Sequence, residues 1–205
     1  MAEKKTDKLD DSGMESTTVT INRTSSTVKG GRRMSFAALV VVGDRRGSVG
    51  IGYGKSKAVP NAIEKAQKYA KKSLFKIKLQ DGTLPHAVAA RFGASSVRLI
   101  PAAPGTGVIA GGTVRAVLEM AGIQDCLTKA YGSRNQANLC KAVIAGLQSL
   151  QSREQVEALR GVKIGSSRIE RMLESNKKTS AGAPAASVAA APKGKQAKSD
   201  AAAGV

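Results

Sequence analysis

The chain has 205 residues, 33 of them basic and 15 acidic, for a formal charge of +18. Solubility alone needs a net charge of only about 2–8 on a small domain, so the excess points to a polyanionic partner that releases its condensed counterions on binding. Aromatic residues make up 3% of the chain and Trp is absent, which excludes a surface built mainly on stacked single-stranded bases and favours recognition of backbone and shape.

Residues 1–16 hold three basic and five acidic side chains without apolar periodicity. They read as a disordered tail, neither a signal nor a transit peptide. The first domain is expected over 17–80, where 14 basic residues face 2 acidic ones. Val19 and Ile21 alternate with polar neighbours in a strand running toward Val28. Lys29 to Arg33 reads as a flexible Gly-Gly basic loop. Ser35 to Val42 is a near-continuous apolar strand, and Gly43 to Gly47 a turn. Val49, Ile51 and Tyr53 alternate with Gly50, Gly52 and Gly54, which leaves one apolar face and one bare face open to a helix or to RNA. Pro60 suits the first turn of a helix, with Ala62, Ile63, Ala66, Tyr69 and Ala70 inward and Lys65, Lys68, Lys71 and Lys72 on the remaining face. Three strands and a helix in this order are an α-β-β-β-α double-stranded-RNA-binding unit without its first helix.

The second domain is expected over 81–165, with a hairpin of Ala87–Phe92 and Ser96–Ile100 around Gly93-Ala94. A Pro/Gly loop covers Pro101–Gly112, and a helix over Thr113–Ala121 is closed by Gly122. Ile123–Ala130 reads as a strand. Ser133-x-x-Gln136 reads as a capping box opening a helix with Leu139, Cys140, Val143, Ile144, Leu147 and Leu150 inward. Arg153–Arg160 is a short further helix. The expected class is α+β, a sheet with helices on one face following the degenerate RNA-binding-like domain. Residues 166–205, rich in Ala, Lys and Pro, read as a largely disordered basic tail.

Cys126 and Cys140 match no metal or disulfide pattern and read as small apolar residues in a reducing compartment. Phe36–Val42, the longest apolar run, falls far short of the roughly 20 residues that span a bilayer, so a soluble cytoplasmic protein is expected, with no membrane partner. Gly105-Thr-Gly107-Val-Ile-Ala110 formally matches a dinucleotide fingerprint, with Asp125 where a ribose-binding acid belongs. However, Pro101 and Pro104 break the strand-to-helix connection that the fingerprint requires. No P-loop is present, and His86, the single histidine, has no Cys or carboxylate cluster for metal or base chemistry. Ser48 and Ser96 lack nucleophile-activating partners. No enzyme site and no cofactor are expected.

The cations of the hairpin region, Arg23, Lys29, Arg32, Arg33, Arg45, Arg46, Lys55 and Lys57, with Gly30 and Gly31 between them, are the candidate RNA-binding set. Arginine forks pair phosphate oxygens bidentately and lysine acts as a point charge; both position more than they specify.

The run Gly31-Arg-Arg-Met-Ser-Phe36 through Val42, Gly43-Asp44-x-x-Gly47-x-Val49-Gly50-x-Gly52-x-Gly54-Lys55 resembles the signature of the small-subunit ribosomal protein five family. So do Val59-Pro60-x-Ala62-Ile63, Gly82-Thr83, Pro101-Ala-x-x-Gly105-Thr-Gly107 through Gly112, and Ala130-Tyr-Gly-Ser133, in the same order over roughly Thr17 to Gly161. The resemblance is to the bacterial form; Ala58 departs from it, standing where the family often has an acid. The resemblance implies a left-handed βαβ crossover in a four-stranded second sheet and a place in the small ribosomal subunit. It also implies contact with small-subunit ribosomal RNA and with ribosomal proteins four and eight, nearness to the path by which mRNA enters, and ties to translational accuracy and spectinomycin sensitivity. By position, Val28–Arg32 would approach the neck RNA and drug site. Gly105, Thr106, Gly107, Gly111, Gly112 and Arg115 would face protein four. A free-standing RNA-binding or chaperone protein is the alternative.

Overall fold

A computed structural model describes residues 13–79 and 82–162, together with 165, 171, 172 and 174. The expected tails thus lie almost wholly outside the described residues. The first sheet has the order β1-β2-β3-β4, from β1 (Glu15–Val28), β2 (Gly31–Gly43), β3 (Ser48–Ser56) and β4 (Phe75–Lys76), all antiparallel. The second has the order β5-β6-β8-β7, from β5 (Val88–Phe92), β6 (Ser95–Pro101), β7 (Val108–Ile109) and β8 (Cys126–Gly132). Helices are α1 (Val59–Lys72), α2 (Gly112–Ala121), α3 (Gln136–Gln148) and α4 (Arg153–Arg160). The α+β class expected from the sequence and the four-stranded second sheet implied by the resemblance are both present. The β7–α2–β8 unit brings β7 and β8 together as a parallel pair.

The apolar run of β2 is buried on both faces. Ala38, Val40 and Val42 pack with Ala62, Ala66 and Ala70 of α1. Leu39 and Val41 join Val49, Val117, Leu118 and Met120 in the larger core, which continues into the second domain through Val97, Leu99, Cys140 and Leu147. A strand covered on both sides loses the polar alternation of a half-exposed one. Gly50, Gly52 and Gly54 lie against the backbone of α1 at Ala70, Ala66 and Ala62, so the bare face serves the helix and not RNA. Tyr69, expected inward, is 48% exposed, because alanines at four-residue spacing are enough to fill this shallow contact.

The domains are joined by hydrogen bonds as well as by the shared core. Gly122, in the left-handed region at φ 88°, closes α2 with Gly122 N donating to Glu119 O and Ile123 N to Leu118 O, the Schellman pattern. The carbonyls of Met120 and Ala121 accept from Arg45 N (3.1 Å) and Gly47 N (3.0 Å) of the β2–β3 turn. That turn is held by Asp44, whose Oδ1 accepts from Ser48 N and Arg46 N, both at 2.8 Å. Burial pushes the Asp44 carboxyl upward, but those N–H donors outweigh it and leave it below its ordinary value. Asp44→Ala is therefore expected to cost about 1–2 kcal/mol at neutral pH. A depressed folded-state value means the stabilisation is complete above the unfolded value near 4 and fades as pH falls through the folded one. The gap between wild type and variant in urea melts should narrow as pH falls below about 4.

Several local expectations shift. β1 begins at Glu15, paired with Gly43, so the strand takes in Glu15 and Ser16 from the expected tail. β4 and β7, each two residues long, carry too little pattern to be read; β7 falls inside the expected Pro/Gly loop. β8 starts at Cys126 and not at Ile123, since Ile123 N completes the α2 terminus and Gln124 N and Asp125 N both donate to Gly82 O. The cap of α3 is Asn135, whose side chain accepts from Ala137 N at 3.2 Å. Ser133 is occupied otherwise: its carbonyl accepts from Ser95 Oγ at 2.8 Å and its hydroxyl from Asn135 N. Ile144, expected inward, is only half-buried.

Candidate nucleic-acid interface

The β1–β2 ladder runs past the end of β3. Phe36 pairs with Ser56, and the pairs Thr24–Ser35 to Val28–Gly31 continue with no third strand beside them among the described residues. At about 3.3 Å per residue these five pairs form an arm roughly 16 Å long. Lys29 and Gly30 alone make the turn, so the expected flexible loop Lys29–Arg33 is a two-residue reversal followed by strand. Gly31, at φ 138°, supplies the backbone that closes it. The arm has no core: Val28 and Met34 are exposed. A bare two-stranded ribbon is marginal in water, so docking against a partner would stabilise it.

Register sorts the cations. Arg32 lies opposite Thr27 and Arg33 opposite Ser26, on successive positions and hence on opposite faces of the arm. Arg23, opposite Phe36, marks its base. Lys55 and Lys57 emerge at the same end of the sheet, where Lys55 pairs with Ala37. All five are exposed, as is Lys29. Six of the eight expected cations thus share one end of the sheet. A shallow cleft of about 570 Å³ at the tip is lined by Val28 to Arg33, including Gly30 and Gly31.

Arg45 and Arg46 stand apart from these six, because the β2–β3 turn is at the opposite end of the sheet. Arg45 takes φ 53°, and its side chain pairs with Glu15 at 2.6 Å. With its N–H on Met120 O, it belongs to the joint between domains. Consecutive residues of sequence could not show this, since a hairpin sends its two ends in opposite directions.

The candidate partner-contact residues form one edge. Thr106 N and Oγ1 both donate to Ala103 O, at 3.2 and 2.7 Å. Gly105 and Gly107 have φ of 87° and 75°, which is turn geometry. Asp125 Oδ1 accepts from Gly107 N at 2.8 Å, so the acid that might have held a ribose closes this loop instead. Gly111 precedes α2, Gly112 begins it, and Arg115 donates to Val108 O at 3.2 Å. These residues surround β7, an edge strand of the second sheet.

Other reactive groups are engaged in structure. Gln151 N donates to His86 Nε2 at 3.1 Å, and His86 Nδ1 lies 3.2 Å from Ala87 O. Burial pushes the Cys126 thiol up to about 11 and the Cys140 thiol to about 12, leaving both protonated and unreactive at neutral pH. Among the described residues no three His, Cys, Asp or Glu side chains gather as a metal site. No described helix is long and apolar enough to cross a membrane.

Residues 14–78 match the family described as ribosomal protein S5, N-terminal domain, and residues 90–160 the ribosomal protein S5, C-terminal domain. The chain is 53% identical over 148 residues to the small ribosomal subunit protein uS5 of Aliivibrio fischeri (strain MJ11), covering 72% of this chain and 89% of that protein. It is 53% identical over 143 residues to the uS5 of Lawsonia intracellularis, covering 70% and 88%. With the uS5 of Rhodopirellula baltica the identity is 49% over 163 residues, covering 78% and 92%.

Proposed function

The chain belongs to the ribosomal protein S5 family, and on that premise we propose that it is a structural constituent of the small ribosomal subunit, holding small-subunit ribosomal RNA through the β1–β2 arm. The family consists of structural ribosomal proteins and is not enzymatic. The observation that carries the reading is the arm and its base: six exposed cations at one end of a sheet. Of the described acids in the first domain, Glu15 and Asp44 lie at the other end of the sheet and Glu64 lies on α1. Such an arm reads phosphate spacing and groove shape and carries little base information.

The finer reading places Gly105–Gly107, Gly111, Gly112 and Arg115 against ribosomal protein four, and includes ribosomal protein eight as a neighbour, mRNA nearby and an influence on decoding accuracy. A short edge strand with Ile109 exposed, beside the exposed Gly105, Thr106, Gly111, Gly112 and Arg115, supports a protein contact there. The site of action is then the cytoplasmic ribosome. Sedimentation of cell extract through a sucrose gradient tests the assignment: the chain is expected in the small-subunit fractions. A predominantly free pool under growth conditions would favour a free-standing RNA chaperone and overturn it.

A further inference from the structure

The second sheet buries one face and leaves the other open. Val97 and Leu99 of β6 and Cys126 of β8 point into the core with α3 above them. Alternate residues therefore point outward. Register aligns them in rows: Arg91, Ser96 and Tyr131 in one, Ala89, Arg98 and Lys129 in the next. Arg91, Arg98 and Lys129 are exposed, and Tyr131 is 54% exposed. Further along, Ile100, Leu127 and Ile109 bound the charged area.

Arg98 and Lys129 lie directly opposite each other across an antiparallel ladder, an arrangement that disfavours the isolated sheet because like charges stand about 5 Å apart at Cβ. No acid is present in either row. The cations therefore repel each other with nothing in these rows to neutralise them.

We propose that this outer face binds an unpaired RNA strand, a second RNA contact distinct from the hairpin arm. The inference rests on the reading of the chain as an RNA-binding protein and concerns a different surface. Arg98 and Lys129 would meet successive phosphates, relieving their mutual repulsion, with Arg91 beside them. Tyr131, two positions from Lys129 on the same face, offers a flat ring on which one base stacks. A duplex keeps its bases enclosed and gains nothing from that ring, so an unpaired strand fits better. An acidic protein would use the cations but not the ring.

The test uses the full chain and fluorescence anisotropy, with labelled dodecauridylate and a labelled RNA hairpin duplex as probes over a range of salt. Arg98→Thr with Lys129→Thr is expected to weaken dodecauridylate binding about tenfold or more. It should also flatten the salt dependence by about 1.4, or roughly 0.7 for each single-strand phosphate left without its cation. Tyr131→Ala should weaken it about tenfold at an unchanged slope. Duplex binding should hold within about twofold for both. Thermal melts should show the double variant no less stable than wild type, since a like-charge pair is removed. Unchanged dodecauridylate affinity in these variants, while Arg32→Ala with Arg33→Ala weakens the duplex, would sink the face and leave the arm standing. Equal competition by polyglutamate with no effect of Tyr131→Ala would assign the face to an acidic protein and overturn the proposal. Failure of the wild type to bind either probe would end both readings.

Discussion

Gly52→Ala should unfold the first domain far more readily than the size of a methyl group suggests. An alanine is ordinarily favoured over glycine inside a strand by about 0.5–1 kcal/mol, since glycine loses more freedom on folding. Here the new Cβ would overlap the Ala66 carbonyl oxygen, and would lie 2.6 Å from Ala70 N and 2.8 Å from Ala66 C. All three are backbone atoms of α1, so no rotamer change relieves the contact. The helix must lift off the sheet, opening Ala62, Ala66 and Ala70 against Ala38, Val40 and Val42. Overpacking of a tight core commonly costs about 1–3 kcal/mol, and a rigid backbone contact belongs at or beyond the top of that range. A loss of about 3 kcal/mol or more in urea melts is expected. Gly30→Ala is the matched control: its Cβ would meet nothing within 4 Å, and its stability should stay within about 0.5 kcal/mol of wild type. Equal melting midpoints for the two variants would show that α1 does not sit directly on the glycine face.

What the sequence made legible follows from how far each signal extends along the chain. The alternation Val49-Gly-Ile51-Gly-Tyr53-Gly announced a strand with one bare face, though it left open whether a helix or RNA fills that face; the alanine stripe of α1 decides it. The hairpin around Gly93-Ala94, the closing Gly122 and the helix Arg153–Arg160 depend on neighbours within a few residues, and each falls where expected. The signals that failed depend on distant partners. Asn135 caps α3, and Ser133 stays outside the helix, its backbone carbonyl tied to Ser95, 38 positions away, and its hydroxyl accepting from Asn135 N. Arg45 and Arg46 are near the other candidate RNA-binding cations in sequence but lie at the other end of the sheet, where their turn closes onto the end of α2. The joint it forms explains why Asp44, Gly47 and Gly122 have to be the residues they are. That explanation needed Met120 and Ala121, more than 70 positions further along.

Arg32→Ala together with Arg33→Ala is expected to produce the largest loss of RNA affinity of any pair in the first domain. Both guanidinium groups are exposed on the arm, and the register with Thr27 and Ser26 directs them to opposite sides. A duplex groove that receives the arm therefore presents a phosphate strand to each. A charge-assisted contact of this kind contributes about 1.5–3 kcal/mol, so each substitution should weaken binding about tenfold or more. Because the two side chains share no partner, their effects should add. The salt dependence should flatten by about 0.9 for each, and by about 1.8 for the pair, taking the duplex DNA value as a guide. Arg45→Ala supplies the contrast: its guanidinium is held by Glu15 at the other end of the sheet, so its slope should not change. Titrations of a ribosomal RNA fragment at several salt concentrations would read both quantities. A slope that stays the same in the double variant would mean the arm points away from phosphate. A slope that falls for only one of the two singles would mean the groove closes on one face of the arm, with the other turned to solvent or to a neighbouring protein.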